Sequence, residues 1–462
     1  PPRSTLSSSS AASDVYKRQD RILETGRYQI SRYPGNPLHE GLTAAARAGD
    51  GTALSNLLST LAFLASALVF LAVARAVGAR RPRWLLLIYC FLPILFVAST
   101  VTMDYVWALL CVLGAYLLLL RERYLLSAVV LGAAVGFRLG SAVLLVPMLL
   151  HLWAQGRGRR IPSYAAVCAL TGLAAFSPPL LTRGPGVLSF YLSPRHELSH
   201  VPYFAAYTLG LPTSALLLVG LPARGRTMLR ELKGRVPVVW TCIGAILVVG
   251  ALFARIPLES EYLIPALPFL LLLVDRWSGR SYLIAFTVLS LLFGLVKIEA
   301  KDTSNLDVVR VAPHPAPGLI VEDLTGRRDQ ELLRTPMAPA LGRLVGAESP
   351  VAVVTGFLVG CAQFRENPDL EEIHLEGVHQ QRGLYAVEDS RTVLWNGPLD
   401  EAGYRELRDR GYEVVFLEGA LRYSRLDSGF ELGDRPARIV TQEQLLAAAR
   451  LSRAQGRGTG PS

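Results

Sequence analysis

Read from one end to the other, the chain alternates long apolar runs with short charged clusters. The apolar runs fall at 53–78, 84–101, 104–120, 162–182, 204–223, 236–254 and 281–297. Each approaches the roughly 20 residues that an α-helix needs to cross a hydrocarbon core about 30 Å thick. The run at 260–274, SEYLIPALPFLLLLV, is short and carries Pro265 and Pro268, so a broken helix is expected there. Residues 124–152 are too many for one comfortable span and few for two.

The excess of Lys and Arg on cytoplasmic loops decides between those alternatives. Arg80, Arg81 and Arg83 place the first connecting loop inside, and the uncharged loop before Asp104 lies outside. Arg121 and Arg123 return the chain to the inside, and Arg157, Arg159 and Arg160 are inside again. Residues 124–152 must then leave and return on one side, as two short helices with a tip near Gly136–Gly140; the competing reading is one long tilted helix. Further on, the cluster Arg224, Arg226, Arg230, Lys233 and Arg235 is inside, as is 275–280. The outer segments carry far fewer basic residues: Arg138, Arg183, Arg195 and Arg255. An integral, multi-pass inner (plasma) membrane protein is expected, with its first loop and C-terminal region extracytoplasmic.

Composition agrees with this pattern. The 462 residues are 51% hydrophobic and 18% charged, with mean hydropathy +0.34, where soluble domains carry about 25% charged residues. The net charge of +10 does not indicate nucleic acid, because the arginines cluster at the ends of apolar runs and not along one helix face. Cys90, Cys111, Cys168, Cys242 and Cys361 form no CxxC pair, and four of them sit within apolar runs, so neither a disulfide framework nor a metal knuckle is expected.

The ends of the chain differ in character. Residues 1–19 include SSSSAASDVYKRQ, which resembles translated linker sequence at the ends of metagenomic reading frames; a natural disordered tail is the alternative. On the linker reading the true start, with a first transmembrane helix, is missing, and the chain is a fragment. The expected organisation continues with a first outer loop at 20–52, a helical membrane domain at 53–298, a linker with local helix at 299–349, and a small soluble α/β domain at 350–462 ending in a disordered tail. In that last domain, 350–356, 392–396 and 412–417 read as strands and 399–410 as an amphipathic helix. Neither GxGxxG nor GxxxxGK[ST] occurs in it, so no nucleotide site is expected.

The topology gathers chemistry-bearing residues on the outer side: Asp20, Glu24, Arg32, His39, Glu40, Asp104, Arg138, Arg255, Glu259 and Glu261. Charges at membrane depth are costly and usually have a partner or a task. Asp104 opens a run and reads either as a helix N-cap or as a functional acid. Arg138 reads either as half of an ion pair pinning two helices or as an anion-binding group. Glu259 and Glu261 could be ordinary rim charges. His196 and His200 are four apart, but Pro194 and Pro202 flank them and no HExxH pattern is present, so no zinc site is expected.

Tyr28-Gln-Ile-Ser-Arg-Tyr-Pro-Gly-Asn-Pro-Leu-His-Glu40 resembles the first outer loop of the GT-C superfamily of membrane glycosyltransferases, in which an acid precedes a Gly-Arg-Tyr stretch and an Arg-x-Pro-Gly-x-Pro stretch. Thr102-Met-Asp104-Tyr, Gly132-Ala-Ala-Val-Gly-Phe-Arg138 and Glu261-Tyr-Leu-Ile-Pro265-Ala-Leu-Pro268 are similar to later family positions, in the same order. The resemblance covers about 20–300 and lies toward the protein O-mannosyltransferase and aminoarabinose transferase-like enzymes. It implies a mostly α fold, a polytopic transmembrane helical GT-C-like domain followed by a small extracytoplasmic α/β domain. The activity it implies is inverting transfer of a sugar from a polyprenyl-phosphate donor to a lipid, glycan or protein acceptor on the outer face. In that scheme Asp20, Glu24 and Asp104 are the catalytic candidates, with Asp20 or Glu24 matching the family's loop acid. Arg138 and Arg255 would hold the donor phosphate, and Arg32, His39, Glu40 and Glu261 would contact substrate. No cofactor is expected, apart from a divalent cation that Asp104 could orient. The competing functions are a transporter or flippase for a lipid-linked glycan, for which no clear internal repeat is seen, and a non-catalytic membrane assembly partner.

Overall fold

Pro37 is the first residue of the helix that carries the first apolar run. In the computed structural model this helix, α1, is continuous from Pro37 to Ala76. The helix therefore begins inside the segment 20–52 that was expected as a loop. A proline at the first helical position is preset for the helix and lacks only an N–H that would be unpaired there anyway, and the Ala-rich stretch after it favours helix despite Gly41, Gly49 and Asp50. The structure describes residues 22–23, 25–28, 30, 34–188, 201, 208–220, 225–257, 259–302, 311–325, 344, 350–355, 370–373, 384–387, 391–395, 399–417, 420–421, 424 and 430–456. It divides into a helical unit, Val15–Glu322, and a C-terminal unit, Asp323–Ser462.

Proline also explains where expected spans break. The run 84–101 folds as two helices, Pro82–Phe91 (α2) and Pro93–Ser99 (α3), bent by 64°. Pro93 cannot donate to the preceding turn and forces Leu92 out of helical geometry, with ψ at 120°. Ser177-Pro178-Pro179 likewise divides 162–182 into Ile161–Ala175 and Ser177–Arg183, bent by 53°. Among the described residues, two stretches, Ala53–Ala76 and Pro237–Arg255, are long and apolar enough to cross a membrane as single helices; each bent pair adds a possible broken span. Shorter apolar helices, such as Asp104–Leu120 (α4) and Arg280–Leu295, accompany them. The run 260–274 is broken as expected, into a 3-10 stretch, Ser260–Ala266, and the helix Leu267–Trp277. Of the run 204–223, the helix Leu211–Gly220 is described. The protein is an integral membrane protein of mostly helical fold.

The ambiguous stretch 124–152 is a hairpin. Tyr124–Phe137 (α5) ends at Arg138, a 3-10 segment spans Leu139–Leu144, and Leu145–Ala154 (α6) follows. Glu122, just before α5, and Arg157, just after α6, lie 3.5 Å apart, so the two ends meet. The next helix, Ile161–Ala175 (α7), then runs alongside α5 in the same direction: Ser127 bonds Tyr164 at 2.8 Å near their starts, while Gly136 meets Ala175 near their ends. A Cβ on Gly132 would stand 2.8 Å from the Cys168 carbonyl oxygen and 2.9 Å from the Gly172 nitrogen. Small residues four apart thus allow α5 and α7 to touch backbone to backbone.

At one end of the helical unit three basic loops join. Asp275 is buried; it accepts a 2.6 Å bond from the Arg80 backbone N–H and pairs with Arg81 at 3.2 Å. Glu231 accepts from Arg276 at 3.0 Å and from the Trp277 indole at 2.7 Å. Segments assigned to one side by charge therefore meet in space. Past the last helix, Val296–Asp302 (β1) pairs antiparallel with Val311–Pro317 (β2), where a linker was expected. Pro313, Pro315 and Pro317 share one parity, so an edge strand can turn every missing N–H away from its neighbour.

In the C-terminal unit six strands form a mixed sheet. We label them Val351–Val354 (β3), Leu370–Ile373 (β4), Leu384–Val387 (β5), Thr392–Trp395 (β6), Glu413–Leu417 (β7) and Arg438–Val440 (β8), in the order β4-β5-β6-β3-β7-β8. The centre β6-β3-β7 is parallel, and β3 and β6 are buried on both faces, which is why they read as continuous apolar runs. The helix Glu401–Asp409 is capped by Asp400, whose carboxylate accepts from the Gly403 N–H at 2.7 Å. Tyr404 and Leu407 on that helix are buried in the core with Phe416 and Phe430.

Candidate functional site

The end of the helical unit opposite the joined basic loops carries most of the described candidate residues. Asp104 is the first residue of α4, with Met103 at the cap position, so it sits in the first turn and is not the N-cap. There its charge still meets the positive end of the helix dipole. Arg138 occupies the break after α5, in extended backbone that releases its side chain from the helix surface.

The two residues form a buried ion pair. Arg138 Nη1 donates to Asp104 Oδ2 at 2.6 Å, with side chains 11% and 4% exposed. The guanidinium lies over the Tyr105 ring at 4.0 Å and near the Tyr262 ring at 4.6 Å, a cation held between two aromatic faces. Tyr105 in turn donates its hydroxyl to Glu259 at 2.5 Å. Glu259, one of two acids that could have been ordinary rim charges, is therefore buried in the same network. Glu261 is half-buried and accepts from the Ser260 hydroxyl at 3.1 Å.

The start of α1 completes the site. Glu40 is buried; it accepts from the Asn36 backbone N–H at 3.2 Å and from the Tyr28 hydroxyl. Burial first, and the Glu40 carboxylate second, hold the Tyr28 hydroxyl far above its ordinary pKa. Gly35, at φ +109°, passes so close to Tyr28 and Pro179 that a Cβ would come within 2.8 Å of the Tyr28 hydroxyl. With its amide nitrogen turned toward α5, Asn36 donates to the Phe137 carbonyl at 3.2 Å, tying this loop to the residue before Arg138. His39 is buried, and its Nε2 has no hydrogen-bond partner among the described residues. Burial lowers its pKa to about 4, with Asp104 acting in the opposite direction.

The structure thus brings together Asp104, Arg138 and the environment of His39. Arg255 ends the helix Pro237–Arg255 and is exposed. Asp20, Glu24 and Arg32 lie outside the described residues, as do His196 and His200. Tyr105, Tyr262 and Asn36 were not singled out in sequence as site residues, and Glu259 was noted without a role at the site. The two tyrosines each directly follow an acid at a helix mouth, and that adjacency was the available signal. A divalent cation on Asp104 would face a guanidinium already 2.6 Å away, so the carboxylate suits Arg138 better than a metal.

Compared with described protein families and with curated protein sequences, the chain matches none. Among solved structures it is similar to ArnT from Cupriavidus metallidurans in the apo state, at 16% sequence identity and TM-score 0.47, over 93% of this chain and 84% of that chain.

Proposed function

We propose that this chain is an inverting membrane glycosyltransferase of the GT-C type. It moves a sugar from a polyprenyl-phosphate donor to a lipid, glycan or protein acceptor at the Asp104–Arg138 end, on the extracytoplasmic side of the membrane. The observation that carries the reading is the buried Arg138, held by the Asp104 carboxylate between two tyrosines at the mouth of a helical membrane domain. A planar guanidinium makes paired, charge-assisted bonds to phosphate and stays protonated. As the acceptor oxygen attacks the anomeric carbon, the bond from that carbon to the phosphate oxygen breaks, and negative charge grows on the phosphate. Arg138 is the group to stabilise it, with Arg255 a second candidate.

The acceptor hydroxyl must lose its proton in the same step, and a carboxylate ionised at neutral pH is suited to receive it. Of the candidate acids Asp20, Glu24 and Glu40, Glu40 lies in the first turn of α1 and is already engaged by Tyr28 and by the Asn36 N–H. This leaves Asp20, with Glu24 as alternative, as the proposed base. Asp104 is the supporting acid that holds Arg138 until phosphate arrives. Arg32, His39 and Glu261 are proposed substrate contacts.

The test is sugar transfer by the purified protein from a polyprenyl-phosphate sugar. Loss of a base typically reduces rate 10²–10⁴-fold. Asp20→Asn is expected to remove turnover while retaining donor binding, and Arg138→Ala to weaken both. Wild-type transfer by Asp20→Asn, Glu24→Gln and Asp104→Asn alike would refute these roles.

A further inference from the structure

The basic end carries a feature that sugar transfer does not use. The helix Gly225–Lys233 has no buried residue. Arg226, Arg230 and Lys233 are spaced i, i+4 and i+7, so they form one stripe along it, and all three are exposed. Met228, Leu229 and Leu232 form the adjacent apolar stripe, with Leu229 57% exposed. The one acid, Glu231, is neutralised by Arg276 at 2.8 Å, and these hydrogen bonds outweigh burial to hold its pKa below the ordinary range. What remains is an apolar stripe, half-buried at Met228 and Leu232 and exposed at Leu229, beside exposed positive charge that has no ion pair among the described residues.

The surroundings have the composition of a membrane interface. Arg235 lies over the Trp153 ring at 4.6 Å, and Trp153 packs edge-on against Trp240 at 5.2 Å. The Trp240 indole donates to the Leu232 carbonyl at 3.1 Å, fixing the short helix against the start of the span Pro237–Arg255. Trp153 and Trp84 are each 38% exposed, and tryptophan is enriched where hydrocarbon meets headgroups. Arg235 also holds φ at +53°, a conformation usually left to glycine, so this position keeps an arginine against a backbone preference.

We propose that Gly225–Lys233 lies in the plane of the membrane surface and binds anionic lipid headgroups. Leu229 and its neighbours enter the acyl boundary, while Arg226, Arg230, Lys233 and Arg235 take the phosphate groups. Helices with this division of apolar and basic faces sit at the headgroup level, and each basic residue near an anionic surface adds to the attraction. The occupant is a lipid and not free phosphate, because the basic stripe borders an apolar one.

The experiment is thermal unfolding of the full chain in neutral detergent, titrated with phosphatidylglycerol, phosphatidylcholine or inorganic phosphate. Phosphatidylglycerol is expected to raise the midpoint well beyond phosphatidylcholine, and inorganic phosphate to have little effect. Replacing Arg226, Arg230 and Lys233 together by Gln is expected to weaken the apparent phosphatidylglycerol affinity at least tenfold, with the lipid-free midpoint unchanged. If that variant unfolds early without lipid, the wild type supplies the test: raising salt from 0.05 to about 0.5 M shortens the screening length severalfold and should remove the preference. Equal response to both lipids at low salt, a salt-independent preference, or equal stabilisation by inorganic phosphate would overturn the proposal.

Discussion

Replacing Arg138 by Gln removes one member of a buried pair and leaves the other. At 2.6 Å, and with an effective dielectric constant near 20, the Coulomb attraction is about 6 kcal/mol before desolvation is subtracted. Removing one partner of a buried pair typically costs about 3–5 kcal/mol, because the survivor keeps its desolvation without its attraction. The two single variants should not be equal. Asp104→Asn leaves the guanidinium between Tyr105 and Tyr262, so its loss should be nearer about 1–3 kcal/mol, the value of a hydrogen bond to a charged group. Arg138→Gln takes the guanidinium away from the buried Asp104 carboxylate and should be the more severe. The double variant should lose less than the sum of the two, by a coupling of about 1–3 kcal/mol. Equilibrium unfolding in mixed micelles measures all three, and Trp107, stacked on Phe137 at 5.8 Å, is a local fluorescence reporter. Losses below about 1 kcal/mol for Arg138→Gln, or strict additivity, would show that the pair is not the buried, mutually dependent unit described.

Three further outcomes are expected. Gly132→Ala should destabilise by about 1–3 kcal/mol, since the added methyl would press on the Cys168 and Gly172 backbone; tolerance without loss would show that α5 and α7 are further apart. Glu122, at φ +57°, ends α4 in a left-handed turn, so Glu122→Gly should stabilise by up to about 1 kcal/mol, its exposed pairing with Arg157 counting for little; a clear loss would locate real energy in that pair. His39 gives a pH signature: between about 4 and 6.5 the unfolded chain binds a proton that the native state does not, so stability rises with pH there. The slope is up to about 1.4 kcal/mol per pH unit, and His39→Gln should flatten it; an unchanged profile would place the linkage elsewhere.

The apolar runs and the basic loops were enough to read that the chain is mostly apolar helix, with the hairpin at 124–152 and the broken helix at 260–274. Composition could not show where helices bend or begin. Proline both starts and interrupts helices, so Pro37 extended α1 into the expected loop while Pro93 divided an expected span. The alternate prolines of β2 looked like linker because the parity that makes them tolerable depends on which neighbour the strand has. At the site, Asp104 and Arg138 stood out because a charge in apolar sequence needs a reason. That Arg138 could be half of an ion pair was legible, and the structure shows one; which acid it meets was not, since 34 residues separate it from Asp104 and the contact exists only once α5 has turned back. Tyr262 and Glu259 joined through the same closure.

On the proposed function, Arg138 receives the phosphate of a polyprenyl donor in competition with Asp104. Saturation binding of a polyprenyl phosphate to the protein in nanodiscs, compared with the uncharged polyprenol, tests it most directly. The phosphate lipid should bind and the polyprenol should not compete. Arg138→Ala should weaken binding at least tenfold, and Asp104→Asn should bind as tightly as the wild type or more so, because the guanidinium is released. Equal affinity for phosphate and alcohol, or an Arg138→Ala variant that binds like the wild type, would contradict the claim.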